Sequence, residues 1–215
     1  MVYKEEIKDL FTVPQGYMLA HCISADFNLG GGIAKQFCEH YDMKNRLFVN
    51  YGSDFDGVGM ALLIDNVYNL VTKKYVHNRP TYENLARTLE DMRDMMIDEG
   101  QRKVAMPRIG CGLDGLDWAI VRSIIKDIFE DTNIEVLICT REEDLAEDGE
   151  NIDYNYSLID DSEEDDDVDE CNCNCGECDD CHEENIILGG SWTDEELESV
   201  YTAILKELKK RHENT

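Results

Sequence analysis

Hydrophobic residues follow two alternating patterns along the first two thirds of this chain. Short apolar runs predict buried strands, and segments with an apolar residue every three or four positions predict helices. The strands follow one another as a first strand entering a loop at residues 6–11, and then runs at residues 17–22, 59–64, 67–72, 103–106 and 134–139. Helices are expected after Gly32, Thr81 and Asp117. This order predicts an α/β fold, a three-layer α/β/α sandwich around a mixed central sheet.

Two helices have well-defined apolar faces. The helix between a Thr81 N-cap and a Gly100 stop has a face formed by Leu85, Leu89, Met92 and Met96. In the next helix, Asp117 is the expected N-cap, and a wide apolar stripe follows at Ile120, Val121, Ile124, Ile125, Ile128 and Phe129. Both helices therefore present one face to the sheet.

Charge divides the chain into two parts. Residues 1–141 contain 16 Lys and Arg against 21 Asp and Glu, a net charge of −5. Residues 142–215 contain 4 against 27, a net charge of −23, within a total of −28. We predict a folded domain over residues 1–141 and a disordered acidic linker over residues 142–170, because such a charge density opposes collapse. The same charge disfavours non-specific binding of this tail to nucleic acid or an anionic membrane.

The sequence also predicts where the protein is located. The first residues are charged and lack an apolar core, and no run of apolar residues has membrane-spanning length. We therefore expect a cytoplasmic protein without membrane contacts, or one of the host cytoplasm if the source is a virus.

Cysteines are unevenly distributed. Four of the nine are scattered through the folded domain, and five lie within residues 171–182. An odd count without an extracellular context argues against a disulfide framework. In the Cys-rich segment, a soft metal with zinc as first candidate could be held by Cys175, Cys178, Cys181 and His182. The alternative is a thiol-rich segment without metal.

A final amphipathic helix is predicted over residues 191–212. Thr193 and Glu196 fit a capping box. The helix has an apolar stripe at Leu197, Val200, Tyr201, Ile204, Leu205 and Leu208. Docking in cis on the folded domain and self-association are equal candidates for covering this face, and a separate partner protein is a third.

Two glycine-rich loops follow predicted strands. The first contains Gly30–Gly32 before a helix, and the second contains Gly110, Cys111 and Gly112 after the strand at residues 103–106. Glycines before a helix let backbone N–H groups approach an anion such as a phosphate. Turn geometry alone explains each loop equally well, so the interpretation depends on both loops lying at one crevice.

Three stretches of the sequence stand out together. Residues 19–34 run from Leu-Ala-His-Cys-Ile-Ser-Ala-Asp to Gly-Gly-Gly-Ile-Ala, residues 70–85 contain Thr-Lys-Lys, and residues 106–114 contain Gly-Cys-Gly-Leu-Asp. In this order they resemble the macrodomain family of ADP-ribose-binding modules. The similarity covers about residues 8–139 and is strongest to the terminal ADP-ribose protein glycohydrolase branch. The resemblance implies an α/β/α macrodomain that needs no cofactor and takes ADP-ribose or an ADP-ribosylated macromolecule.

The resemblance also implies roles for individual residues. Lys73 corresponds to the catalytic lysine and Asp114 to the catalytic aspartate. Lys8 replaces the glycine that usually precedes the adenine-contacting aspartate, Asp9. The implied ADP-ribose contacts are Asp9, Leu10, His21, Ser24, Gly30, Gly31, Gly32, Ile33, Ala34, Pro107, Ile109, Gly110, Cys111, Gly112 and Leu113.

The chemistry of a lysine and an aspartate fits this assignment. A neutral lysine amine can attack the anomeric carbon of ADP-ribose, and nearby Lys74 and Arg79 would favour the neutral form. We expect hydrolysis of ADP-ribose from acidic side chains, and by family analogy from nucleic-acid bases or O-acetyl-ADP-ribose. The alternatives are an ADP-ribose-1″-phosphate phosphatase, a non-catalytic ADP-ribose reader, and a surface salt bridge between Lys73 and Asp114 without catalytic meaning.

Overall fold

The computed structural model describes residues 1–142 together with Thr202, Ala203 and Lys206. The Cys-rich segment and its zinc candidates lie outside the described residues. The same is true of the acidic linker beyond Glu142, and of the C-terminal helix apart from those three positions. Within the described part of the chain, no helix combines the length and the apolar character needed to cross a membrane.

A six-stranded mixed sheet forms the centre of the domain, and it confirms the predicted α/β/α architecture. Its strands are β1 (Val2–Ile7), β2 (Met18–Ser24), β3 (Ala61–Ile64), β4 (Val67–Lys73), β5 (Lys103–Met106) and β6 (Glu135–Thr140). Their order across the sheet is β1-β6-β5-β2-β4-β3. Only β3 runs antiparallel to its neighbour, β4, and every other pair is parallel.

Helices cover both faces of this sheet. They are α1 (Gly32–Tyr41), α2 (Met43–Tyr51), α3 (Tyr82–Asp98) and α4 (Trp118–Phe129). Successive residues of a strand face opposite sides, and this divides the interior into two cores. Ala20 of β2 packs with α3 and α4, whereas its neighbour Leu19 packs with α1 and α2. Both faces of the inner strands are therefore buried, as their nearly continuous apolar sequences require, whereas the edge strand β1 is largely exposed.

The predicted helix caps are present. Thr81 accepts a hydrogen bond from the N–H of Asn84, and Asp117 accepts one from Ala119 at 2.7 Å. Gly100, with φ of +68°, follows the end of α3. Two elements were not predicted, helix α2 and a short 3-10 helix at Leu10–Thr12.

The loops that follow β2 and β5 create a crevice. These two strands are parallel neighbours. The chain leaves β2 toward α1 on one face of the sheet and leaves β5 toward α4 on the other. Loops that diverge to opposite faces open a gap at the carboxyl ends of their strands, which is where open α/β sheets bind ligands. Both glycine-rich loops lie at this edge.

The loop from β5 to α4 is held in a fixed shape by its glycines. Gly110 has φ of +73°, and its carbonyl accepts the N–H of Leu116 at 2.8 Å. A Cβ at Gly110 would lie 2.8 Å from Leu116 Cδ1, whereas a Cβ at Gly112 would meet nothing within 4 Å. A side chain at Gly110 is therefore expected to destabilise the fold, whereas a side chain at Gly112 is not.

We expect Gly110→Ala to lower the free energy of unfolding by about 1–3 kcal/mol, because the left-handed backbone and the contact with Leu116 both oppose a side chain. Urea unfolding of Gly110→Ala and of the matched control Gly112→Ala measures the difference. The control is expected to unfold like wild type. Equal midpoints for Gly110→Ala and wild type would refute the conformational argument.

Glu135 joins the amino ends of three strands. Its carboxylate accepts hydrogen bonds from Lys4 Nζ at 2.6 Å and Tyr17 Oη at 2.7 Å, and Lys103 Nζ lies 3.3 Å away. Hydrogen bonding to Lys4, followed by Tyr17, lowers the pKa of Glu135 to about 2. Because the native-state pKa is depressed, this stabilisation is present above the ordinary glutamate pKa and disappears as the pH falls toward 2.

We expect Glu135→Gln to cost about 1 kcal/mol of stability at pH 7, a modest value because solvent screens the partners. The difference from wild type should shrink between pH 4.5 and pH 2. Urea unfolding across this pH range measures it, with Glu39→Gln on the exposed face of α1 as control. A Glu135→Gln difference that is constant with pH would show that the ion pairs do not produce it.

Candidate active site

Lys73 and Asp114 meet at the crevice. Lys73 is the last residue of β4, and its Nζ atom donates to Asp114 Oδ1 at 2.6 Å. The two side chains are 12% and 17% exposed, so they are largely shielded but still reachable from solvent. The structure thus brings together two residues that are far apart in the sequence. Their catalytic roles stay a prediction.

A register shift in the sheet sets the position of Lys73. Ile23 of β2 pairs with Val71, but the next residue, Ser24, pairs with Lys73. Thr72 is therefore the extra residue of a bulge, and such irregularities re-aim side chains near the ends of strands. The backbone of Lys73 is held in place by a hydrogen bond, because its carbonyl accepts the N–H of Ala25 at 2.9 Å. No pattern in the sequence indicated this bulge.

Asp114 is presented by a tight turn. The N–H of Gly115 donates to the carbonyl of Gly112 at 3.0 Å, so Leu113 and Asp114 are the two central residues of a β-turn. Leu113 is 86% exposed at the tip of this turn. The turn therefore exposes the Leu113 side chain at its tip, whereas the Asp114 side chain lies against Lys73.

The two glycine-rich loops face each other. A Cβ at Gly31 would lie 3.1 Å from Leu113 Cδ1, so the tip of the second loop contacts the first. Gly31 is the N-cap of α1 and provides no side-chain hydrogen bond to the first turn. The N–H groups at the start of α1 are therefore without a side-chain cap and suited to an anion.

Asp26, which the sequence analysis did not select, organises the first loop. Its carboxylate accepts hydrogen bonds from the Ser24 hydroxyl and from the N–H groups of Asn28 and Val76. Burial acts to raise the pKa of Asp26, but these hydrogen bonds outweigh it and lower the pKa. Asp26 thereby ties the loop after β2 to the turn after β4. Asp26 ends the run Leu-Ala-His-Cys-Ile-Ser-Ala-Asp in the first of the three matched stretches, and that position was the signal in the sequence that could have identified it.

Phe27 anchors the same loop in the core. It is fully buried and has φ of +50°, an unusual conformation for an aromatic residue. Its ring packs against Phe48 at 5.5 Å and Phe55 at 5.4 Å between centroids. Helix α2, which the sequence analysis did not predict, thus holds the first glycine loop in place through the contact of Phe48 with Phe27.

The predicted adenine end lies beside the 3-10 helix. Asp9 is exposed, and its Oδ1 accepts the N–H of Phe11 at 2.9 Å. The Phe11 ring lies 4.9 Å from the ring of Phe37 and 4.5 Å from that of His40. An aromatic cluster therefore borders Asp9.

His21 lies in the core, and its predicted ligand contact stays a prediction. Its side chain has no exposed surface, its Nε2 lies 2.8 Å from Asn69 Oδ1, and its ring stacks on Phe37 at 3.9 Å. Burial lowers its pKa to about 4, so the ring is neutral near pH 7. The imidazole is part of the core beneath α1 and does not line the crevice. Three other predicted contacts also have buried side chains and can offer only backbone groups, namely Leu10, Ser24 and Ile109.

The remaining predicted contacts border the crevice. The exposed ones are Gly30, Gly31, Gly32, Gly112 and Leu113, and the half-buried ones are Ile33, Ala34, Pro107, Gly110 and Cys111. Within residues 1–142 and the three described positions beyond them, no three His, Cys, Asp or Glu side chains are grouped in a way that could hold a metal ion.

Known proteins are similar to this chain in sequence and in fold. A family model described as Macro domain matches residues 20–125. The ADP-ribose glycohydrolase OARD1 of Bos taurus is 39% identical over 132 residues, which make up 61% of this chain and 87% of the bovine protein. An ADP-ribose 1″-phosphate phosphatase of Candida albicans is 26% identical over 149 residues, covering 60% of this chain and 95% of that protein.

Among solved structures, the macrodomain of Thermus aquaticus DarG superimposes with a TM-score of 0.59 at 21% identity, covering 64% of this chain and 97% of the bacterial one. That identity supports a common fold only. The bovine relative supplies the closer sequence match, over most of its own length. The chain therefore belongs to the Macro domain family.

Proposed function

We propose that this chain is an ADP-ribosyl hydrolase that binds ADP-ribose in the crevice and releases it from acidic side chains. The observation that carries the proposal is the pair of Lys73 and Asp114, whose Nζ and Oδ1 atoms lie 2.6 Å apart beside two glycine loops. A primary amine next to a carboxylate is a nucleophile next to a proton acceptor. Similarity to the bovine ADP-ribose glycohydrolase supports a glycohydrolase reaction.

Backbone groups bind the diphosphate in this proposal. The uncapped N–H groups at the start of α1 and the amides of Gly110 and Gly112 are donors that need no cationic side chain. The distal ribose then lies beside Lys73, and the adenine lies toward Asp9. Because Asp9 Oδ1 already accepts the N–H of Phe11, we assign Oδ2 to the adenine amino group.

The reaction proceeds in two steps. Lys73 Nζ attacks C1″ of the distal ribose, the bond between C1″ and the ester oxygen breaks, and the acceptor leaves as a carboxylate with the bonding electron pair. Asp114, which holds the proton taken from the Lys73 ammonium, passes it to the departing carboxylate and becomes charged again. In the second step Asp114 removes a proton from water, which attacks C1″ as the bond between C1″ and Nζ breaks. Lys73 leaves as an amine and takes that proton back from Asp114. The products are ADP-ribose and the free acidic side chain.

The contact between Lys73 and Asp114 must change its charge state before attack. An ammonium cannot act as a nucleophile, so its proton has to reach a nearby acceptor, and Asp114 is 2.6 Å away. A bound ligand excludes water from the crevice. Loss of water destabilises the charged ammonium and carboxylate relative to a neutral amine beside a neutral carboxylic acid. The scheme uses only these two side chains and water.

Hydrolysis of ADP-ribose 1″-phosphate is the second candidate function. The Candida albicans relative with that name supports it, at lower identity than the glycohydrolase relative. The two activities differ in the leaving group, which is inorganic phosphate in one case and a carboxylate in the other. A reader without turnover would bind ADP-ribose and release neither.

We expect Lys73→Ala to reduce hydrolysis of an ADP-ribosyl-glutamate peptide by at least about a hundredfold, because the nucleophile is removed. Isothermal titration calorimetry with ADP-ribose should still detect binding, which shows that the fold is retained. Lys44→Ala, an exposed lysine on α2, is the matched control. Hydrolysis near the wild-type rate in Lys73→Ala would refute the assignment of the nucleophile.

Mass spectrometry should detect a covalent intermediate. We expect wild type quenched during turnover to carry one ADP-ribosyl group on the peptide that contains Lys73, and Lys73→Ala to carry none. Phosphate release from ADP-ribose 1″-phosphate, measured in parallel, separates the two enzymatic candidates. Rapid phosphate release with an inert glutamate ester would favour the phosphatase.

A further inference from the structure

The residues that follow Lys73 form an exposed turn beside the crevice. We call residues 74–79 the rim turn, and every one of its residues is exposed. Tyr75 and Val76 are 44% and 40% exposed, which is unusual for large apolar side chains. The turn also contains Lys74, His77 and Arg79 and has no acidic residue, although residues 1–141 carry a net charge of −5. It is therefore a local basic and apolar surface on an acidic protein.

Hydrogen bonds hold the rim turn in one shape. The N–H of Tyr75 donates to Asn78 Oδ1 at 2.9 Å, and the N–H of Asn78 returns to the Tyr75 carbonyl at 3.0 Å. Val76 is fixed to the first glycine loop because its N–H donates to Asp26 Oδ2 at 3.1 Å. A surface that is already ordered loses little conformational entropy on binding.

The aromatic side chains of the rim turn are in contact with each other. The rings of Tyr75 and His77 are stacked, with centroids 5.6 Å apart and an angle of 9° between their planes. Lys74 Nζ lies 5.3 Å from the centroid of the Tyr75 ring. The three side chains form a platform that combines an apolar surface with cationic and hydrogen-bonding groups.

The rim turn is close to the reacting atoms. Tyr75 is two residues beyond Lys73, so their Cα atoms are separated by at most about 7 Å. The glycine loops and the start of α1 are assigned to the ADP-ribose itself. The polypeptide on the other side of the scissile bond therefore has to leave the crevice past a neighbouring surface, and the rim turn adjoins the nucleophile directly.

We propose that the rim turn binds an acidic polypeptide segment next to the ADP-ribosylated residue, with Tyr75 and His77 as specificity-determining residues. This inference rests on the proposed function. Carboxylates flanking the modified glutamate meet the basic groups of the turn, and the aliphatic stems of those acidic side chains pack on Val76 and on the exposed part of Tyr75. The turn thereby selects among acceptors that present the same ADP-ribosyl ester.

A peptide fits these observations better than a nucleic acid. The Tyr75 ring is already stacked on His77, and Lys74 lies over it, so part of the surface that a base would use is occupied. A long polyanion is also repelled by a chain with a net charge of −28, whereas a short acidic segment relies on local contacts.

The test compares substrates that differ only beyond the ester. Wild type, Tyr75→Ala, His77→Ala and the double variant are assayed as full-length chains. The substrates are an ADP-ribosyl-glutamate peptide with glutamates on both sides, the same peptide with glutamines there, and O-acetyl-ADP-ribose. Val49→Ala, at a residue that is 85% exposed on α2, is the control.

We expect the double variant to raise KM for the acidic peptide about tenfold, with kcat and the turnover of O-acetyl-ADP-ribose unchanged. For wild type, the preference for the acidic over the glutamine peptide should weaken with added salt, and the double variant should show a smaller preference because it keeps only Lys74 and Arg79. An unchanged KM would overturn the proposal. Equal losses on the peptide and on O-acetyl-ADP-ribose would also overturn it, because the turn would then serve the ADP-ribose site.

A binding measurement separates this proposal from the proposed function. Fluorescence anisotropy with a labelled, unmodified acidic peptide and saturating ADP-ribose requires no catalysis. We expect weaker binding by the double variant than by Val49→Ala even if wild type hydrolyses none of the substrates. A single-stranded oligonucleotide that binds more tightly than the peptide, and depends on Tyr75, would overturn the choice of ligand.

Discussion

The contact between Lys73 and Asp114 joins two segments that are separated by a strand of the sheet. β2 lies between β4, which ends at Lys73, and β5, whose following loop contains Asp114. Half-buried charge pairs rarely stabilise a fold, since desolvation offsets most of their attraction. The pair therefore depends on the sheet for its geometry. A slip of one residue in the pairing of β2 with β4 would send Lys73 to the opposite face, and the bulge at Thr72 sets the register in which it reaches Asp114.

In the proposed function, recognition is divided between two kinds of atoms. The glycine loops provide backbone N–H groups, which a substitution cannot easily remove and which suit the invariant diphosphate of a nucleotide. The rim turn provides side chains, which vary at little structural cost because they are exposed. Asp26 links the two surfaces, since its carboxylate accepts from Asn28 in one loop and from Val76 in the other. A change in the backbone position of either loop therefore alters a hydrogen bond that the other loop shares through Asp26.

The sequence predicted those features that depend on local chemistry. Thr81 and Asp117 cap their helices because their side chains bond to the next turn, and the apolar runs became strands because both faces of the sheet are covered. Helix α2 was missed because only Met43 and Leu47 of its residues are fully buried, too few to produce a period. A matching motif does not show which way a strand residue faces, and β2 directs the His21 side chain under α1, so the burial of this residue could not be predicted. The bulge and the role of Asp26 depend on pairing between distant strands, which local patterns do not encode.

The pairing of the first strand with the last has a further consequence. β1 and β6 run parallel, with Ile7 beside Thr140, and their carboxyl ends lie at the edge of the sheet where the crevice opens. The chain therefore leaves the domain on the side of the active site, and residues 142–215 with their net charge of −23 are attached there. Any encounter between that polyanion and the crevice is intramolecular. Its frequency is set by the tether and does not change when the protein is diluted.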